Sequence, residues 1–286
     1  MGRAEGGLNL DAGNWLGFQV SSTGTHVAGF AVAVGSPVDR PGLAPITASL
    51  PTTTSRGFLV DATRIVAARG RAARWSYALE GLGVLDVDMD AQVAAVDPAM
   101  DPAAVREILF GPGLLLLLAT RGIYGIHSSA IRAGGRCFVL PALSGSGKST
   151  FARLAAEAGA EALTDDISPL LMQDGVLRLR PRYPQLKWED PWRTPDLDLP
   201  VSAIVFLQRD GSALALEPLG AAEATRLLIR DTIAARLFPP HLLRTHLEAM
   251  ACFAESVPCW RLHWPEAAPD ALADQCARAL SLFAPV

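Results

Sequence analysis

Residues 142–150 read ALSGSGKST, from Ala142 to Thr150, between an apolar run at Cys137–Leu140 and a helical pattern opening at Phe151–Leu154. This is the strand–loop–helix setting of a phosphate-binding P-loop. Glycine and serine from Leu143 and Ser144 through Gly145, Ser146 and Gly147 let the backbone turn tightly, so that several N–H groups face one anion. The start of the following helix adds the positive end of its dipole. Lys148 would reach the terminal phosphates of a nucleotide, the Ser149 hydroxyl would hold Mg²⁺, and Thr150 completes the loop's cofactor-binding set. A flexible Gly/Ser loop is the plain alternative, and the Gly-Lys-Ser ending with its flanks weighs against it. One position departs from GxxxxGK[ST]: Ala142 stands where the first glycine belongs. If that position needs positive φ, alanine strains it; if not, the loop survives.

Downstream, Glu161–Thr164 reads as a short strand ending at two adjacent carboxylates, Asp165 and Asp166. A strand leaving the P-loop helix can bring both beside the phosphates. One suits the metal together with Ser149, and the other would accept a proton from an attacking hydroxyl. The plain alternative is an Asp-rich turn capping the next element. His127, one hairpin before the P-loop strand, is either a third catalytic candidate facing the phosphates or a satisfied core histidine. Lys187 lies among Arg180, Arg182, Trp188 and Arg193, a mixture that would clamp phosphate or stack a base, or equally seal a surface loop with salt bridges. Lys187 is the best single nucleotide contact there. His246 and His263 read as ordinary residues.

The 286 residues suffice for one large domain or two modest ones, here divided as a small mainly β region over 1–100 and a nucleotide-binding domain over 101–286. Half the residues are apolar and 19% charged, which supports a sizeable core. A net charge of −4 gives no general reason to bind nucleic acid. The strongest apolar run, Leu114–Ala119, falls far short of the ~20 residues a membrane span needs. The start lacks an apolar signal core and the four cysteines show no close metal-ligand pairing, so a reducing cytoplasm is the expected location. Oligomeric state is not readable.

In the front half, Phe18–Val20, Val27–Val34, Gly57–Val60, Arg64–Ala68, Trp75–Leu79 and Val84–Val87 read as strands. Asp101-Pro102 resembles a helix start, with the helix running to about Ile108 and Leu114–Ala119 resuming it after Gly111-Pro112-Gly113. Further strands are expected at Gly125–Ala130, Cys137–Leu140, Leu170–Gln173, Val176–Leu179 and Val201–Leu207, with helices at Thr150–Ala158, Ala221–Leu237, Leu242–Phe253 and Leu272–Leu282.

On these residues the chain resembles the HPr kinase/phosphorylase superfamily, especially its shorter HPr-kinase-like members found near peptide-modification genes. The resemblance rests on GIHSSAIRAGG (125–135), CFVLPALSGSGKST (137–150) and GAEALTDDISPL (159–170), with PRYPQLKWED (181–190) as a weaker continuation. It implies an α/β fold, a phosphoenolpyruvate-carboxykinase-like P-loop core of mixed β-sheet with flanking helices. It also implies ATP and Mg²⁺ as cofactors, His127 beside the active centre, Asp165 as base, and Asp166 with Ser149 at the metal. Thr150 stands where the regulatory HPr kinases generally carry glutamate, which weighs against phosphorylase activity and an identical metal site; the longer signature that couples those kinases to HPr is not found, so an acceptor other than HPr is implied. A serine of a peptide or small protein fits, a lasso-peptide precursor being one such acceptor. A small hydroxyl metabolite as acceptor and a noncatalytic nucleotide-responsive binding protein are the competing functions.

Overall fold

The computed structural model describes residues 19–20, 31–34, 65–71, 73–79, 83–96, 108–143, 145–181, 183, 198–210, 213–265 and 269–283. The expected strand at Gly57–Val60, the helix start at Asp101-Pro102, and the site residues Ser144 and Lys187 lie outside them. By internal contacts the chain divides into two units, Met1–Thr120 and Arg121–Val286.

The first unit holds strands β1 (Gln19–Val20), β2 (Ala31–Val34), β3 (Ile65–Arg71), β4 (Arg74–Leu79), β5 (Gly83–Asp88) and β6 (Val93–Val96), in sheet order β1-β2-β6-β5-β4-β3. β3 to β6 form an antiparallel meander, and β2 joins β6 in parallel. A Cβ on Gly70 would collide with the Trp75 ring across the β3–β4 pair, so glycine is required at that crossing. The chain then kinks at Gly111 (φ −96°, ψ −111°), with Pro112 following, before α1 (Leu114–Ala119). Every residue of α1 is buried, which explains a helix made of five leucines and Ala119. A Cβ on Gly113 would lie 3.2 Å from that of Ala94, so this segment packs on the β-meander. The unit boundary accordingly falls after Thr120 rather than near residue 100.

The second unit is mixed α/β: an eight-stranded sheet flanked by helices. Its strands are β7 (Tyr124–Ala133), β8 (Arg136–Pro141), β9 (Glu161–Thr164), β10 (Ile167–Gln173), β11 (Val176–Leu179), β12 (Leu199–Arg209), β13 (Ala215–Pro218) and β14 (Cys259–Trp264). The order is β11-β10-β7-β8-β12-β14-β13, with β9 on β7 and β11 also pairing the start of β12. β8, β12 and β14 run parallel, so their carboxyl ends share one edge, where α/β sheets bind ligands. The helices are α2 (Lys148–Glu157), α3 (Ala221–Asp231), α4 (Pro240–Ser256) and α5 (Pro269–Phe283). α2 and α5 cover one sheet face, burying Phe138, Leu140, Phe151, Leu207, Leu262, Trp264 and Phe283 in one cluster. Phe151 meets Trp264 edge-on with centroids 5.0 Å apart.

Two departures from the sequence reading matter. The helix expected over Ala221–Leu237 stops at Asp231, because Thr232 is extended (ψ 120°) and Ala234 takes a left-handed φ of 61°. Strands β13 and β14 were not among the expected elements, yet β14 is a parallel neighbour of β12. His246 is an ordinary core histidine: wholly buried, hydrogen-bonded to Thr232 through Nε2 (2.9 Å), and packed on Tyr124 and Phe238. Among the described residues no helix is long and apolar enough to cross a membrane. All four thiols are unbridged, and burial in β8 pushes Cys137 up to about 12.

Candidate active site

β7 acts as the ruler that assembles the site. Its residue Ser128 lies opposite Pro141, the last residue of β8, and Ala130 lies opposite Thr164, the last of β9. His127 lies opposite Ile167, the first residue of β10. The phosphate loop and the Asp165–Asp166 corner therefore emerge side by side over residues 127–130. Backbone register alone delivers this, before any side chain is considered.

In the loop, Gly145 (φ 83°) and Gly147 (φ 89°) take left-handed conformations that favour glycine. Leu143, largely exposed, accepts at its carbonyl from Ser146 N–H (3.1 Å) and Ser146 Oγ–H (2.6 Å), closing the turn. The first intrahelical bond of α2 runs from Phe151 N–H to Gly147 C=O (2.8 Å), so the amides of Lys148, Ser149 and half-buried Thr150 precede it. A stack of helix-start amides of this kind is suited to binding an anion. Ala142 keeps negative φ and buries its methyl in the α2–α5 cluster. Alanine in place of the first glycine thus adds core contact and costs no backbone strain.

The side chains converge. Lys148 is only 7% exposed, and its Nζ lies 2.9 Å from His127 Nε2. In that contact the ammonium donates and the imidazole accepts. The same Nε2 lies 3.4 Å from Asp166 Oδ1, a contact that needs a proton on Nε2. One nitrogen serves one partner at a time, and the shorter distance gives it to Lys148. Ser149 Oγ donates to Asp165 Oδ1 at 2.8 Å, and Ser129 Oγ donates to the same oxygen at 3.0 Å. Asp166 is 5% exposed and its φ of 93° is outside the ordinary range of a non-glycine residue. Its carbonyl accepts Ser128 N–H at 3.3 Å, which ties this unusual turn to β7.

Lys148, Ser149, His127, Asp165 and Asp166 are thus brought together. The pairing differs from the expected one, which joined Ser149 with Asp166: the hydroxyl meets Asp165, while Asp166 turns to His127. Arg180 is committed to Asp198 through paired contacts of 3.0 Å (Nε to Oδ1) and 2.6 Å (Nη2 to Oδ2), the salt-bridge alternative of the sequence reading. Two contributors were missed. Ser129 is a hydroxyl at a fully buried strand position, and that mismatch was the available signal. Tyr183 is wholly buried, and burial, helped by the charge of Asp166, pushes its phenol well above the ordinary value; it stays protonated.

The oxygen donors at the corner suit a hard cation such as Mg²⁺, which is commonly held by one or two carboxylates and substrate phosphates rather than by a protein cage. Among the described residues no cluster of three or more His, Cys, Asp or Glu side chains able to hold a metal occurs.

No known family model matches the sequence, and no curated protein matches it. Among solved structures, the chain is similar to the HPr(Ser) kinase/phosphatase from Coxiella burnetii, at 9% identity over 56% of this chain and 90% of that one, with a TM-score of 0.32.

Proposed function

We propose that this protein is an ATP- and Mg²⁺-dependent kinase on a phosphoenolpyruvate-carboxykinase-like core, transferring the γ-phosphoryl group to a serine hydroxyl of a peptide or small protein. A lasso-peptide precursor is an acceptor of this kind. The observation that carries the reading is the meeting of Lys148, Ser149, His127, Asp165 and Asp166 within 2.8–3.4 Å contacts beside a helix N-terminus.

Phosphoryl transfer asks the protein for positioning and charge neutralisation. The 145–150 backbone cradles the phosphates, and Lys148 leaves His127 to reach the β- and γ-phosphates. That departure hands His127 Nε2 to Asp166. Ser149 and Asp166 would hold Mg²⁺, which would offset charge developing on the phosphates. Asp165, the less buried carboxylate of the two, takes the acceptor proton. The serine oxygen bonds to the γ-phosphorus, the bond to the β,γ-bridging oxygen breaks, and ADP leaves.

A second division of labour is favoured by the 2.8 Å contact of Ser149 with Asp165: Asp165 would serve the metal, and Asp166, beside His127, the proton. Asp165→Asn and Asp166→Asn separate the two. The metal-side variant weakens Mg²⁺ binding, raising the metal concentration needed for half-maximal transfer by about tenfold or more. The base-side variant lowers kcat at unchanged metal demand. The direct test of the function supplies γ-labelled ATP, Mg²⁺ and serine peptides. Label should pass to the peptide and fail to do so with Asp165→Asn. ATP consumption without a labelled acceptor would point to an ATPase instead.

A further inference from the structure

Asp165 Oδ1 accepts two hydroxyls, from Ser149 (2.8 Å) and Ser129 (3.0 Å), and these two donors are not equivalent. Ser149 is exposed, in the first turn of α2. To ligate a cation it must present a lone pair away from Asp165. Ser129 is fully buried in β7, opposite Leu140 of β8, and cannot leave. Behind it the corner is pinned by further hydroxyls. Thr164 Oγ1 and Ser168 Oγ lie 2.7 Å apart, and Ser168 Oγ donates to the Ser128 carbonyl at 3.2 Å. A hydroxyl between Ile126, Ala130 and Ile131 in a core strand is costly unless bonded, and Asp165 is the partner it reaches.

We propose that Ser129 is a positioning residue whose fixed, buried hydroxyl keeps the Asp165 carboxylate aimed at the phosphate loop, while the exposed Ser149 is shared between Asp165 and the metal. The inference rests on the reading that Asp165 works at the site of transfer. It assigns Ser129 no contact with nucleotide or acceptor.

The test compares wild type, Ser129→Ala and Ser129→Thr in three measurements. Crystal structures with Mg²⁺·ADP should show Asp165 in one conformer in wild type and Ser129→Thr, and rotated or split in Ser129→Ala. Calorimetry should give Kd values for Mg²⁺·ADP within twofold of each other. With a serine peptide that the wild type phosphorylates, Ser129→Ala should lower kcat about tenfold with the KM for ATP held, and Ser129→Thr should restore it to within about threefold. A merely structural serine would move stability without this split or rescue. An Asp165 carboxylate unmoved in Ser129→Ala, or an unchanged kcat, overturns the proposal. If the wild type phosphorylates no serine peptide, the kinase reading fails, and the Asp165 conformer still decides the role of Ser129.

Discussion

Two polar networks stand on the same sheet of the second unit and do opposite things. At the edge, His263 of β14 lies between Asp210 (Nδ1 to Oδ2, 2.8 Å) and Glu217 (Nε2 to Oε2, 3.3 Å), while Arg261 pairs with Glu223. Each edge charge meets its opposite, and the Glu223 and Glu217 side chains are 41% and 58% exposed, so water shares the load. At the corner, Lys148 and Asp166 are nearly buried, the lysine leans on a histidine, and Asp166 sits in a left-handed conformation. The edge spreads its charges in pairs shared with water, whereas the corner gathers a lysine, two carboxylates, a histidine and hydroxyls at the start of a helix. On the proposed reading the first is a brace and the second serves a polyanion.

The largest expected effect separates these directly. Lys148→Ala should weaken Mg²⁺·ATP binding by roughly 30- to 100-fold, the loss of a charged hydrogen-bonding group, measured by calorimetry. An affinity within threefold of wild type would place Lys148 among the braces. Next comes the backbone at Asp166. Both Asp166→Gly and Asp166→Ala remove the carboxylate, but only glycine accepts φ of 93° without penalty. The glycine variant should be the more stable by about 1 kcal/mol in urea unfolding. Equal stabilities would mean that the turn holds no strain.

The histidines sharpen the comparison through pH. At the edge, the Asp210 hydrogen bond raises the His263 pKa, with Glu217 adding to it. Its contribution is therefore fully present below the ordinary histidine pKa of about 6.5 and is lost as pH rises through the raised value. Burial instead lowers His246 from 6.5 to about 4, so the stability that its neutral form supports falls as pH drops from about 6.5 toward 4. His263→Gln should flatten the alkaline side of a melting-temperature profile, and His246→Phe the acid side. A profile unmoved on either side contradicts the corresponding assignment. The smallest effect belongs to the edge pair: Glu223→Gln should cost under about 1 kcal/mol. A larger loss would mean that the edge is no mere brace.

The corner was more legible than the edge for a physical reason. A phosphate loop announces itself in local sequence, because the turn demands glycine at 145 and 147 and the chemistry demands Lys148 and Ser149 beside them. The break between the expected strands Leu170–Gln173 and Val176–Leu179 was legible likewise, Asp174 and Gly175 there both having positive φ (52° and 74°). β14 reads CWRLHW, in which Trp260–Trp264 alternates apolar and polar; what no local window includes is the match of Arg261 and His263 with Glu223 and Asp210. Ser129 was hidden for the same reason, its partner being 36 positions away in the chain. The pairing of Ser149 with Asp165 rather than Asp166 turns on which way one strained residue faces, and that depends on the β7 register.

The convergence of Lys148, Ser149 and Asp165 on one triphosphate is tested most directly by a crystal structure with Mg²⁺ and a non-hydrolysable ATP analogue. The phosphates should lie against the amides of residues 145–150, with Lys148 Nζ moved from His127 onto them. A carboxylate oxygen of Asp165 should face the γ-phosphorus across room for one hydroxyl, each reacting contact being about 3–3.5 Å. Triphosphate bound away from the start of α2, or Asp165 turned from it with Lys148 still on His127, would contradict the account.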